Sequence, residues 1–108
     1  MNEALGMFEH LVLCAIVCVE PKAYGTSIAD ALERATGRAV SPGALYTTLE
    51  RLEKKSTVTS GLGEPTAVRG GRAKRFYHAT AAARAALRAT QRSLHLLLEN
   101  VCLEEESC

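Results

Sequence analysis

Two stretches of this sequence carry side chains that could do chemistry, and in both it is the chemistry of recognition. Residues 66–80, TAVRGGRAKRFYHAT, hold four basic side chains, two adjacent glycines, two aromatics and no acid. Arg69, Arg72, Lys74 and Arg75 make a compact cationic tip suited to phosphates. Arginine is also drawn into a narrow minor groove by its enhanced negative potential. The glycines let such a tip turn tightly and approach another backbone closely. The second stretch is SPGALYTTLERLEKK, residues 41–55. Written on a helix, its leucines fall on one side. Gly43, Tyr46, Thr47, Glu50, Arg51 and Lys54 fall on the other. An outward Tyr-Thr pair followed by bases can read base edges and flank them with phosphate contacts. Glu50 runs against this pattern, and either pairs with Lys54 one turn on or accepts from a cytosine amino group.

Other chemistries find less support. His10, Cys14 and Cys18 lie at i, i+4 and i+8. On a helix that stripe spans about 12 Å at 1.5 Å rise per residue, too far for three ligands on one ion. Paired Cys-x-x-Cys spacing is missing, so no metal is expected. Cys14 and Cys18 read as small buried hydrophobes, and Cys102 and Cys108 as the thiols more open to oxidation. The glycines at 61, 63, 70 and 71 do not form a phosphate-cradling loop between a strand and a helix. No paired carboxylates suggest a catalytic cleft. His78 reads as a packing residue beside Phe76. Neither an enzyme nor a cofactor is expected.

These residues need elements to position them. Met7–Val19 reads as a helix apolar on nearly every side, hence buried. Tyr24–Thr36 reads as a second helix, with Ile28, Ala31, Leu32 and Ala35 on one stripe and Gly37 as its stop. Ser41 caps a third helix with Pro42 at its first position, and Leu45, Leu49 and Leu52 face the core. Thr57–Ser60 and Arg75–Ala79 read as paired strands. Phe76 and His78 share one face of the second, Arg75 and Tyr77 the other. Thr80 caps a long helix, leucine-rich through Leu103, in which Leu87, Leu94 and Val101 recur every seven residues. Two helices joined by a short turn, then a two-stranded ribbon, make a winged helix-turn-helix. The fold class is mainly α with a small β-ribbon. Residues 1–80 form the DNA-binding unit, and residues 81–108 a dimerisation helix with a short acidic tail.

Bulk properties agree. A chain of 108 residues fits one domain and, being short, invites a partner surface. Net charge is +1 overall, but −3 over residues 1–37, +5 over 38–75 and −1 over 76–108. Such concentration of positive charge is a footprint of nucleic-acid contact. The longest apolar run, Leu11–Val19, is too short to span a bilayer, and acids rather than bases precede it. A cytoplasmic protein with no membrane association is the expectation.

Three segments together resemble the PadR family of bacterial transcriptional regulators: FEHLVLCAIV, AYGTSIADALERATGRAVSPGALYTTLERLEKK and RGGRAKRFYHAT. The resemblance covers about residues 5 to 100, and is nearest to the short subfamily with one C-terminal helix. It departs at Ser56, where a glycine usually ends the recognition helix, and at alanines 81–83, where a glycine often follows the threonine. The resemblance implies a homodimeric repressor bound to a double-stranded DNA operator. Ser41 would cap the recognition helix, and Gly43, Tyr46, Thr47 and Arg51 would enter or flank the major groove. Lys54, Arg69, Arg72, Lys74 and Arg75 would meet phosphates or the neighbouring minor groove. Leu87, Leu94, Leu97, Leu98 and Val101 would form the dimer interface, with help from the first helix.

Some members of the family answer to small molecules, including flat aromatic drugs stacked on a tryptophan between C-terminal helices. This chain has no tryptophan and nothing aromatic after Tyr77. An inducer here would be small or aliphatic, or would sit against Phe8. A closed, leucine-packed interface with no ligand is the other reading. One further function class stays open: a winged-helix protein-interaction module whose basic face meets an acidic partner.

Overall fold

The computed structural model describes residues 5–63 and 74–101, and every absence noted below refers to those residues. Helices α1 (Met7–Val19), α2 (Gly25–Thr36) and α3 (Pro42–Lys54) come first. Strands β1 (Val58–Leu62) and β2 (Arg75–Ala79) follow, and then α4 (Ala81–Leu98). The strands pair antiparallel, with Val58 opposite Ala79 and Leu62 opposite Arg75. The core is built from Leu13 and Ile16 of α1, Ile28 and Leu32 of α2, Leu45, Leu49 and Leu52 of α3, and Val58, Tyr77 and Ala79 of the ribbon.

Local signals explain most boundaries. Tyr24 is the N-cap of α2, so that helix starts one residue later than its sequence pattern suggests. Gly37 ends it in the left-handed conformation, φ 75°, which costs a glycine little. The Ser41 hydroxyl accepts from Ala44 N at 3.2 Å, and the Thr80 hydroxyl from Ala83 N at 3.1 Å. Each satisfies one of the N–H groups that a helix start leaves without a partner.

After α3, Ser56 does accept the left-handed conformation, φ 61°. Its N–H donates to Glu53 O at 3.0 Å, and the Thr57 N–H donates to Leu52 O at 3.1 Å. These are the two bonds of a Schellman ending. Thr57 is consumed by that cap, its hydroxyl also donating to Leu52 O at 2.8 Å. The strand therefore runs 58–62 rather than 57–60. Ser56→Gly should stabilise the fold by roughly 0.5–1 kcal/mol, the left-handed penalty of a Cβ less the extra freedom glycine gives the unfolded chain. Denaturant unfolding checks this, and a lower midpoint would mean that the serine is not strained.

Two sequence expectations about helices need correction. α1 is buried on one side only. Val12, Leu13, Ala15 and Ile16 are covered, whereas Met7 is 76% exposed and Cys14 and Cys18 are also exposed. The second face of the helix is apolar as well, yet it is left open. α4 ends at Leu98, short of Leu103. There the Asn100 side-chain amide donates to Leu96 O at 3.1 Å, and the backbone N–H groups of Asn100 and Val101 donate three residues back. Asn competes for helix carbonyls in this way.

Glu9 is a buried charge that the apolar pattern of α1 hides. Its carboxylate accepts from Lys55 Nζ at 2.9 and 3.1 Å and from Gly6 N at 2.8 Å, tying the start of α1 to the end of α3. The Lys55 hydrogen bond, then the Gly6 N–H, hold its carboxyl below the ordinary value of 4.5. A depressed carboxyl contributes stability that is complete above the unfolded value. That contribution is lost as pH falls through the folded one. Glu9→Gln should therefore cost about 1–2 kcal/mol at neutral pH. It should also flatten the acid limb of the stability curve below pH 4.5. An unchanged acid limb would assign acid sensitivity to other groups.

Candidate nucleic-acid interface

The outer face of α3 carries the expected set. Gly43, Tyr46, Thr47, Glu50, Arg51 and Lys54 are all exposed, while Leu45, Leu49 and Leu52 are buried. Thr48, not singled out by the sequence, is buried too, and its hydroxyl donates to Ala44 O at 2.8 Å. Glu50 and Lys54 make no ion pair among the described residues. Tyr46 is 48% exposed. Its hydroxyl leans back over Gly25 at the start of α2, so the side chain is only partly turned outward.

The ribbon stands beside this helix. Arg75 donates to the Ser60 hydroxyl at 3.0 Å, and that hydroxyl donates to Glu53 of α3 at 2.9 Å. Arg75 is thus braced against α3. The Lys74 ammonium lies 4.0 Å from the centroid of the Tyr24 ring, a cation–π contact that the sequence reading missed. Arg69 and Arg72 lie outside the described residues. Alternation along β2 holds, with Tyr77 and Ala79 inward. His78 is a correction: its side chain is 54% exposed, with Nδ1 3.7 Å from Glu20, so it lies at the surface. Tyr77 and Ala79 have already taken the core face. Burial pushes the Tyr77 hydroxyl up.

The leucine stripe of α4 has its own geometry. Leu87 is partly buried against the core, but Leu94, Leu97, Leu98 and Val101 are exposed, as is Leu96, which the sevenfold spacing skipped. Between α1 and α4 runs an apolar groove of about 840 Å³, lined by Met7, Leu11, Cys14, Leu87, Leu94 and Leu97 among others. Cys14 and Cys18 face that groove rather than the core, a second correction. Partial burial and the neighbouring Cys18 push the Cys14 thiol up, so it stays protonated. Among the described residues no cluster of three ligating side chains is suited to a metal. No described helix is long and apolar enough to cross a membrane.

A three-helix body that presents a polar helix face beside a two-stranded ribbon is a winged helix-turn-helix of the kind found in DNA-binding regulators. The transcriptional regulator PadR-like family matches residues 12–89, and the chain belongs to it. Regulators of this family bind DNA. Transcriptional regulator Rv3488 of Mycobacterium tuberculosis is 46% identical over 65 residues, which span 60% of this chain and 57% of that relative. A PadR-like transcription factor from Bacteroides fragilis superposes with a TM-score of 0.72 at 25% identity, covering 88% of this chain and 86% of its own. A PadR family regulator from Clostridium difficile R20291 gives 0.69 at 22% identity, covering 87% and 93%. At that identity the second likeness speaks for the fold.

Proposed function

We propose that this PadR-family regulator is a cytoplasmic, homodimeric repressor that binds a duplex operator. The observation that carries the reading is the exposed, carefully capped outer face of α3 standing beside a basic ribbon. Gly43, Tyr46, Thr47 and Arg51 enter or flank the major groove. Lys54, Arg69, Arg72, Lys74 and Arg75 meet phosphates, and the wing tip reaches the adjacent minor groove. Residues 1–80 do the reading and residues 81–108 the pairing. The leucines of α4 and the open face of α1 meet their copies across a two-fold axis. With no aromatic on α4, any inducer is small or aliphatic, or rests on Phe8.

The test is affinity for duplex DNA across salt. Log affinity should fall linearly with log salt, and each lost phosphate contact should reduce the slope by about 0.9. Arg72→Ala and Lys74→Ala should weaken all sequences alike. Tyr46→Ala or Thr47→Ala should instead narrow the gap between operator and random duplex by about 1–3 kcal/mol. Affinity that ignores salt would sink the phosphate contacts and favour an acidic protein partner.

A further inference from the structure

Two residues at the start of α2 belong neither to the recognition helix nor to the ribbon, yet touch both. The Tyr24 ring meets Phe76 of β2 edge to face, with centroids 5.5 Å apart and planes at 84°. The same ring carries the Lys74 ammonium on its face. Next to it, Gly25 supports Tyr46. A Cβ built on Gly25 would overlap the Tyr46 hydroxyl and stand 3.1 Å from its Cζ. The far end of the Tyr46 ring thus rests on α2 backbone, in space that exists because Gly25 has no side chain. A tyrosine has a rigid ring and two torsions, so it escapes such an overlap only by swinging as a whole. At the other end, a Cβ on Gly63 would overlap Phe76 and lie 2.7 Å from its Cδ2. The contacts therefore run without a gap from Tyr46 through Gly25, Tyr24 and Phe76 to Gly63.

The base of this bracket is stiff. Tyr24 N donates to the Ser27 hydroxyl at 3.0 Å, and Tyr24 O accepts from Ile28 N at 2.9 Å. One residue earlier, Ala23 O accepts from Tyr77 N of β2 at 2.8 Å.

We propose that Tyr24 and Gly25 are positioning residues that fix Tyr46 of the recognition helix relative to the wing. Major-groove reading and wing contact are then held at one spacing. Gly25 works by leaving room, and Tyr24 by joining the Phe76 edge to the Lys74 ammonium. This rests on the DNA-binding reading above, and the experiment separates the two.

The probe is a duplex enriched by the wild-type protein from a randomised pool. Alanine is a stronger helix former than glycine, so Gly25→Ala should unfold no more easily than the wild type. Its affinity for the enriched duplex should nevertheless fall about tenfold, the scale of one lost base contact, with random-duplex affinity unchanged. That penalty should shrink several-fold in a Tyr46→Phe background, where the overlapping hydroxyl is gone and only the 3.1 Å approach to Cζ is left. Tyr24→Phe keeps both ring contacts and should bind as the wild type does. Tyr24→Leu should lose wing protection in a hydroxyl-radical footprint. It should also lose the upfield shift expected in the free protein for the Lys74 methylene next to the ammonium, which lies 4.0 Å from the ring centroid. Wild-type affinity in Gly25→Ala, or an equal penalty in both Tyr46 backgrounds, overturns the positioning role and leaves the DNA reading standing. A wild type that enriches no sequence and binds without salt dependence overturns both.

Discussion

Leu94→Asp should give a folded protomer that no longer associates and no longer holds an operator. Within the protomer Leu94 is 54% exposed and Leu97 65%. Of all α4, only Ala83 is buried, so a carboxylate at 94 removes no core contact. Its cost falls on assembly. The leucine stripe and the open face of α1 form one contiguous apolar surface, of the kind that marks an interface. Burying a leucine there contributes about 1.5–3 kcal/mol. An unpaired aspartate instead brings a desolvation penalty of several kcal/mol, and a two-fold interface meets it twice. Operator affinity then falls for a separate reason. A dimer places its second recognition helix at high effective concentration over a half-site about 34 Å away. A monomer holds one half-site alone. Sedimentation should show a single protomer, and circular dichroism an unchanged helix content. A stable dimer in this variant would place the interface elsewhere.

Much of the fold was legible because its boundaries are set by short-range chemistry. Ser41, Thr80 and Gly37 act within a few residues of themselves, and each does what its type suggests. The outer face of α3 was legible for the same reason, since helical period alone separates Leu45, Leu49 and Leu52 from Tyr46, Thr47 and Arg51. Period says which residues share a face, but not which face finds cover. That is why the pattern of α1 suggests burial all round, Cys14 and Cys18 included, whereas both thiols are exposed. For the same reason alternation alone leaves His78 open to a packing role, although the strand alternates as expected. Contacts between distant segments left no local trace. Nothing near Tyr24 in the sequence announces Lys74 fifty residues on, and nothing near Glu9 announces Lys55. The apolar surroundings of Glu9 were the one available hint, because a carboxylate in such a helix requires a partner.

The largest effect on stability should come from Glu20, whose role is of this long-range kind. In β2 the N–H groups of Tyr77 and Ala79 leave the strand on the edge away from β1. Tyr77 N finds Ala23 O at 2.8 Å, and Ala79 N finds the Glu20 carboxylate at 2.7 Å. The other carboxylate oxygen takes Arg84 from the first turn of α4. Glu20 thereby joins the end of α1, the wing strand and the start of α4. Glu20→Ala leaves the Ala79 N–H and the Arg84 guanidinium without their acceptor. The expected cost is about 2–3 kcal/mol, which lowers Tm by roughly 10–20 °C at this size. Arg84→Ala should cost much less. The Arg84 side chain is 38% exposed, and an ion pair that open to water is worth under about 1 kcal/mol. Glu20→Gln should fall between the two, since its amide oxygen still accepts from Ala79 N while the charge for Arg84 is gone. This order separates the strand-edge hydrogen bond from the ion pair as the larger contributor. Equal losses in Glu20→Ala and Arg84→Ala would reverse that assignment, and unfolding measured at fixed protomer concentration keeps association from blurring the comparison.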